Sequence, residues 1–391
     1  MHSRARVGVV LFSTVLVIFM VIGGLLGQSN QSEDGPYRQL AVYSEVLSRI
    51  RSEYVEEPNV PRVTDGALHG LLESLDANSS YLTPEEYREY KNRREGHAGV
   101  GATISKRFGY AAVVSVLPGG PADKAGITGG DIIEAIEGRS TREMSLAEVR
   151  TLLLGQRGSN ISLSIVRPPR AAPAKVTVTR DTVAVPAVAE KMLENGIGYL
   201  KADALTKGKA AEIGARIKAL QRAGARKLIL DLRDDSDGDS AEGVAVANLF
   251  LNHGTITYLQ GQKVPRETFS ADPQKAITNL PLVVLVNRGT AGPAEIAAAA
   301  ILDNARGDVV GDKTFGQNSV QKVIEIPDGS ALILTVAKYY SPSGKAIQDT
   351  SVTPNVQVTD VADDSALPDE DEDNAFRRHA PNVPSGHESC I

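Results

Sequence analysis

Apolar residues fall along this chain in three rhythms. The first is an unbroken run. From Val7 to Gly27 no residue is charged and most are apolar. That is long enough to cross a hydrocarbon core of about 30 Å at about 1.5 Å per residue. The second is a four-residue beat. Val42, Val46, Ile50 and Tyr54 share one helical face within a segment, 37–95, that reads as helical throughout. Pro58 and Pro61 break the beat, Asp65–Leu75 fits a second helix, and a third starts near Pro84 with Thr83 as its N-cap. The third rhythm is that of short strands. Between 98 and 182 it predicts strands over Gly99–Ile104, Ala111–Val116 and Ile161–Val166, separated by glycine-rich turns such as Pro118-Gly119-Gly120-Pro121. One short helix interrupts them, from Ser145 to Leu154. Ser145 and Glu148 stand at capping-box spacing, and Gly155 is the stop.

From 183 to 358 helix and strand alternate. Ile213, Ile217 and Leu220 form a helix stripe, and Glu295–Leu302 is an alanine-rich helix. Lys227–Leu232 and Leu282–Val286 are continuous apolar runs, as strands covered on both faces require. Val320–Ile326 and Ala331–Tyr339 make a hairpin across Asp328-Gly329. The pattern is that of an α/β core. Beyond Asp360 it ends: eight of the residues from Asp360 to Asp373 are acidic, a composition that predicts disorder for 360–391.

Composition narrows the chemistry. The chain has 391 residues, room for two or three domains, with 42% hydrophobic and 23% charged residues. Its net charge of −6 and lack of a basic stripe argue against a nucleic-acid partner. Cys390 is the single cysteine, so no intrachain disulfide or cysteine metal cluster can form. No His-Glu-x-x-His or similar metal spacing occurs, so neither metal nor cofactor is expected. Arg4 and Arg6 ahead of the apolar run place the N-terminus in the cytoplasm. The expectation is a single pass through the inner membrane, with the bulk of the chain periplasmic or extracytoplasmic. A cleaved signal peptide is the alternative, but it would have a shorter apolar region and a small-x-small exit, and Gly24-Leu25-Leu26-Gly27-Gln28 is a poor one.

Several ordered blocks resemble the C-terminal processing (tail-specific) proteases. Leu75-Asp76-Ala77-Asn78-Ser79-Ser80-Tyr81-Leu82 is similar to their Leu-Asp-Pro-His-Ser-Ser-Tyr signature, and Asp231-Leu232-Arg233 to their Asp-Leu-Arg strand end. Thr314-Phe315-Gly316 with Val320-Gln321 matches the block that carries their catalytic lysine, and Lys338–Gly344 matches their Tyr-x-x-Pro-x-Gly region. The unit 98–182 looks like their PDZ domain. The resemblance, over roughly 37–359, implies a mixed α+β and α/β multidomain fold: a helical N-terminal region, a barrel-like PDZ domain and an α/β tail-specific protease core. The expected divisions are a 1–27 anchor or signal segment, 28–97 tether and helices, 98–182 PDZ, 183–359 core and 360–391 tail.

The resemblance also implies a serine nucleophile and a neutral lysine base, and neither is here. In Thr290-Ala291-Gly292-Pro293-Ala294-Glu295-Ile296, Gly292 falls on the nucleophile, and Gln317 falls on the base at the family's spacing. Pro293 follows the nucleophile position, where a backbone N–H should serve the oxyanion hole, and proline has none. The Gly-Gly after Asp-Leu-Arg is Asp237-Gly238, which brings a carboxylate toward developing negative charge. Losing one oxyanion donor typically costs about 10²–10³ in rate. Gln321, matching the assisting glutamine, is retained. The chain is therefore expected to be a non-catalytic scaffold, adaptor or regulator of proteolysis. The alternative is a working serine-type endopeptidase with a displaced dyad, Thr290 or Ser319 as nucleophile and Lys313 as base.

A PDZ groove captures a C-terminus as an added strand, with loop N–H groups on the carboxylate. Val100, Gly101 and Ala102 occupy that loop, Thr103 and Ile104 the strand, and Val149, Leu152 and Leu153 the helix side, unless these apolar residues only fill the core. The expected partners are protein C-terminal tails or unfolded chains, an active paralogous protease, and the membrane through residues 7–27. Ser389-Cys390-Ile391 also fits a PDZ ligand pattern, so the chain's own C-terminus is a further candidate.

Overall fold

The structure is a computed structural model that describes residues 36–92, 98–167 and 172–358. The apolar run 7–27 and the acidic segment from 360 onward lie outside these residues. Contacts divide the chain into two compact units, Met1–Ala67 and Leu68–Ile391.

In the first unit, helix α1 spans Pro36–Glu53, and helix α2 (Val60–Glu73) begins there. The sequence places the second helix later, at Asp65, with Pro61 as a breaker. Pro61 sits instead in the first turn, where a missing N–H costs nothing. The Asn59 side chain accepts from Arg62 N–H at 3.1 Å as a cap.

The second unit continues with β1 (Ser80–Leu82) and α3 (Pro84–Asn92). Thr83 and Glu86 close a capping box at the start of α3, each side chain bonded to the other's N–H. The Leu75–Leu82 block turns on Asp76, whose carboxylate accepts from the N–H groups of Asn78 and Ser79 and from the hydroxyls of Ser79 and Thr335.

The PDZ-like part follows: β2 (Ala102–Arg107), β3 (Tyr110–Val116), α4 (Pro121–Lys124), β4 (Ile132–Ile136), β5 (Arg139–Ser140), α5 (Leu146–Leu153), β6 (Asn160–Val166) and β7 (Ala174–Thr179). The sheet runs β2-β3-β4-β6-β7, with β5 on β4. The first strand starts at Ala102, not at Gly99. Gly101 takes φ +74, and the carbonyls of Val100 and Gly101 are occupied by the N–H groups of Ala122 and Leu117, so the chain turns before it extends. Ile104, Val113, Ile133, Ile161 and Val178 form the interior.

The core is built from β8 (Ala189–Leu193), β9 (Ile197–Lys201), α6 (Lys209–Arg222), β10 (Lys227–Asp231), α7 (Ser240–Phe250), β11 (Thr255–Gln260), β12 (Glu267–Ser270), β13 (Leu282–Val286), α8 (Pro293–Asp303), β14 (Asp308–Gly311), β15 (Ser319–Glu325), β16 (Ala331–Tyr340), α9 (Ile347–Thr350) and β17 (Val356–Gln357). One sheet has the order β17-β14-β13-β10-β9-β8 and is parallel except for β8. A second, antiparallel sheet joins β1-β16-β11-β12, with β15 on β16. The continuous apolar runs are the middle strands β10 and β13. Leu228, Leu230, Val284 and Val286 pack there against Ile213 and Ile217 of α6, Val246 and Phe250 of α7, and Ile296 and Ile301 of α8. Each such side chain contributes about 1.5–3 kcal/mol by leaving water. Helices α7 and α8 touch backbone to backbone: a Cβ on Gly243 would lie 2.3 Å from the Pro293 oxygen. That contact seats the start of α8 under the loop that carries position 292.

Candidate functional site

Three loops at the carboxyl ends of the parallel strands meet around Gly292. The first follows β10. Asp231 ends that strand fully buried, gripped by Arg233 through two bonds (Nε–Oδ1 2.9 Å, Nη2–Oδ2 2.6 Å) and by the Tyr199 hydroxyl at 2.7 Å. This fork fixes the direction in which Asp234–Gly238 leaves the sheet. The second loop follows β13 and leads through Thr290 into α8. The third runs from Thr314 to Asn318.

Gly292 is the N-cap of α8, at φ +60 and ψ −125, a conformation unfavourable for any residue with a side chain. The space is nevertheless open. A Cβ placed on Gly292 would meet only the backbone oxygens of Gln317 and Ser236, each at 3.8 Å. A side chain at 292 would therefore start beside the backbone of residue 317, and neither Gly292 nor Gln317 carries a nucleophilic or basic atom. The Gln317 side-chain oxygen is buried without a hydrogen-bond partner. Pro293 occupies the first turn of α8, where it presents no N–H.

Glu295 holds this arrangement together. It is fully buried, and its carboxylate accepts from the N–H of Gly292 (3.0 Å), Gly316 (2.7 Å) and Gln317 (2.9 Å) and from the Thr314 hydroxyl. Burial pushes its carboxyl up to about 7, and the four bonds oppose that rise. Asn318 adds a bond from its amide to the Gly292 carbonyl at 2.6 Å. Neither Glu295 nor Asn318 is among the residues the sequence reading selects. The signal for Glu295 was its place in the quoted block, three residues after the N-cap position.

The displaced-dyad residues have other employment. The Thr290 hydroxyl is fully buried, donates to the Leu232 carbonyl at 2.8 Å and accepts from Asn287 N–H at 3.0 Å. Both bonds tie it to the loops around it. Ser319 accepts from the Gln321 amide at 2.8 Å on β15, with Gln321 itself exposed. Lys313 is half-buried in the turn after β14, with its N–H on Asp312.

Asp237 is exposed, and its carbonyl accepts from Leu205 N–H at 2.8 Å. Gly238 has φ +136, and a Cβ there would come within 2.1 Å of the Leu205 oxygen, so only glycine fits. Beside them Asp235 is fully buried, with neither carboxyl oxygen hydrogen-bonded. Burial, reinforced by the charges of Asp203 and Asp237, raises its pKa well above the usual carboxylate range. Ser236, in the same loop, hydrogen-bonds Ser115 of β3, so the PDZ part touches the candidate site directly.

In the PDZ part, Val100, Ile104, Val149 and Leu153 are 5%, 3%, 0% and 4% exposed and belong to the interior. The side chains of Ile104, Val149 and Leu153 thus pack in the core of the PDZ part. Gly101, Ala102, Thr103 and Leu152 are half-buried at its margin. A Cβ on Gly101 would lie 3.3 Å from Pro121 and from Val183, so the loop is closely backed. Arg150 of α5 bridges to the Ile104 carbonyl at 2.9 Å, across the gap an added strand would enter. Among the described residues no group of acidic, His or Cys side chains is arranged to hold a metal ion, and no helix is long and apolar enough to cross a membrane.

Comparison with known proteins matches residues 196–358 to the model of peptidase family S41 and residues 113–167 to a PDZ domain. A carboxy-terminal-processing protease of Bartonella bacilliformis is 33% identical, over 88% of this chain and 82% of its own length. A carboxyl-terminal-processing protease of Picosynechococcus is 37% identical, over 78% and 76%. Among solved structures, a photosystem II D1 C-terminal processing protease superposes with TM-score 0.67 at 27% identity, over 82% of this chain and 92% of its own.

Proposed function

The chain belongs to peptidase family S41, that of the carboxy-terminal processing proteases, and we propose that it is a member that binds protein C-terminal segments without cutting them. One observation supports this reading: glycine and glutamine stand at 292 and 317, the positions that the family resemblance gives to the serine and the lysine, and a Cβ at 292 would lie 3.8 Å from the Gln317 backbone oxygen. A glycine cannot attack a carbonyl, and a glutamine amide cannot take a proton from a nucleophile. Pro293 removes an oxyanion donor as well. Nothing in the geometry favours the displaced dyad, because the Thr290 hydroxyl is committed to Leu232.

The retained part is the PDZ domain. We assign it the capture of polypeptide ends, at the margin formed by Gly101, Ala102, Thr103 and Leu152, with Arg150 released from Ile104 as a strand enters. Its contact with the 236 loop, through Ser115, would let a captured end lie beside the inert centre. A chain that holds ends without cleaving them would act as a scaffold or as a regulator of an active paralogue. Tethering through residues 7–27 would confine it to the outer face of the inner membrane.

The test is fluorophosphonate labelling of the purified chain, together with cleavage of an unstructured tail peptide. No labelling and no cleavage are expected. Cleavage abolished by Thr290→Ala, Ser319→Ala or Lys313→Ala would overturn the reading.

A further inference from the structure

Helix α6 carries four cations, and they are not equivalent. Lys209 is held by Glu212 at 2.8 Å and Arg216 by Glu190 at 3.0 Å. Lys218 and Arg222 are exposed and have no carboxylate partner among the described residues. They stand four residues apart on one helical face, where like charges repel. The only bond between them is from the Arg222 side chain to the Lys218 carbonyl.

These two cations border a groove of about 430 Å³ whose remaining wall is apolar. Its lining includes Ala210 and Gly214 of α6, Leu249 of α7 and Ile277 from the stretch before β13. A Cβ on Gly214 would meet Leu249 and Ile277 at 3.5 Å, ordinary contact, so these two side chains stand directly over the helix there. The groove lining is thus apolar near the start of α6 and positive near its end. It suits an extended segment with apolar side chains first and carboxylates after them.

The chain contains such a segment, outside the described residues. Val361-Ala362-Asp363-Asp364-Ser365-Ala366-Leu367-Pro368 precedes Asp369-Glu370-Asp371-Glu372-Asp373. We propose that residues 361–373 lie in the α6 groove of the same molecule, with Leu367 in the apolar half and the acidic run on Lys218 and Arg222.

The topology puts the two within reach. β17 and β9 belong to the same parallel set, so the chain leaves β17 at the edge of the sheet from which it enters α6. β9 is four positions from β17, about 19 Å at about 4.8 Å per strand. Leu367 lies nine residue steps beyond Val358, enough for about 30 Å when extended. From Ala210 to Arg222 the helix rises about 18 Å, a distance that the residues after Leu367 can follow. Tethering holds the segment at an effective concentration on the order of millimolar, so weak contacts suffice. The attraction between exposed charges falls as salt shortens the Debye length below about 10 Å. The clasp is therefore salt-sensitive. This inference does not depend on the reading of the 292 site.

The experiment uses the full chain with Cys390→Ser and a nitroxide tag on Ser365→Cys. The amide signals of Ala211, Gly214 and Ala215 should lose intensity relative to the reduced tag, while those of β7 on the PDZ part should not. The loss should vanish when Lys218→Glu and Arg222→Glu are added, and also on raising the salt in the unreversed protein, a control that needs no altered groove. It should be absent when tagged chains are mixed with isotope-labelled untagged ones. No loss in the tagged chain, loss that survives both charge reversal and salt, or loss in the mixed sample would each overturn the proposal; the last would mean that the groove takes a second copy.

Discussion

Rebuilding the centre stepwise separates the absent chemistry from the intact geometry. The first perturbation is Gly292→Ser. Space is not the obstacle, since the new Cβ would meet two backbone oxygens at 3.8 Å, ordinary contact. The cost is conformational: a non-glycine residue at φ +60 and ψ −125 is disfavoured by about 1–3 kcal/mol. The variant should therefore fold, unfold in slightly less urea, and cleave nothing, because Gln317 is no base. Adding Gln317→Lys supplies a base in a semi-enclosed site but leaves Pro293 without an N–H. Adding Pro293→Ala then restores the donor, which is worth about 10²–10³ in rate. The expected order in cleavage of a fluorogenic tail peptide is parent and single variant at background, the double variant at most weak, and the triple variant above the double by about that factor. Cleavage by Gly292→Ser alone would show that the base is not at 317. Destabilisation of several kcal/mol in that variant would show that the pocket at 292 is closed.

Three other outcomes are expected. Glu295→Gln replaces an acceptor of four bonds by an amide with one oxygen, so at least one backbone N–H of the 292, 316 and 317 set is orphaned, at about 1–3 kcal/mol each. Burial lifts this carboxyl from 4.5 to about 7 in the fold, so the folded state binds more protons between those values and stability falls as pH rises through them, by about 3 kcal/mol. Urea midpoints at pH 5 and pH 7.5 should show this slope reduced in the Gln variant, and an unchanged slope would remove Glu295 as its source. The native chain should also stay with membranes through a high-salt wash, because residues 7–27 would be held by hydrophobic transfer and not by charge; a soluble form starting near Gln28 would instead indicate a cleaved signal peptide.

The parts of the fold that were legible in the sequence have a local cause. Ser145 and Glu148, the Asp328-Gly329 turn and the uninterrupted runs at 227–232 and 282–286 each declare their geometry within a few residues, and the structure has the corresponding elements. Pro61 was misread because proline stops a helix in its interior but favours its first turn, and only the cap at Asn59 distinguishes the two. The start of β2 was misplaced because Gly101 turns under bonds to Leu117 and Ala122, which are distant in sequence. For the same reason no pattern could separate Val149 and Leu153 from Leu152. All three are apolar and lie on one turn of α5, and only packing in the core of the PDZ part decides that Leu152 stays half-buried. Glu295 was passed over because its partners lie both beside it, at Gly292, and about twenty residues on, at Thr314, Gly316 and Gln317.

That last network explains how the centre can lose its chemistry and keep its shape. The positions of 292, 316 and 317 are set through their backbone N–H groups, all held by one buried carboxylate, and not through the side chains at 292 and 317. Replacing those side chains therefore leaves every bond of the Glu295 network in place. It even relieves strain at 292, where glycine accepts φ +60 at little cost. Pro293 is likewise stabilising at the start of α8 while being incompatible with an oxyanion donor. Glycine at 292 and proline at 293 are thus neutral or favourable for folding, whereas loss of Glu295 would be costly. A peptide-holding role needs the shape alone, and on these terms the chain can retain that shape without a reactive group.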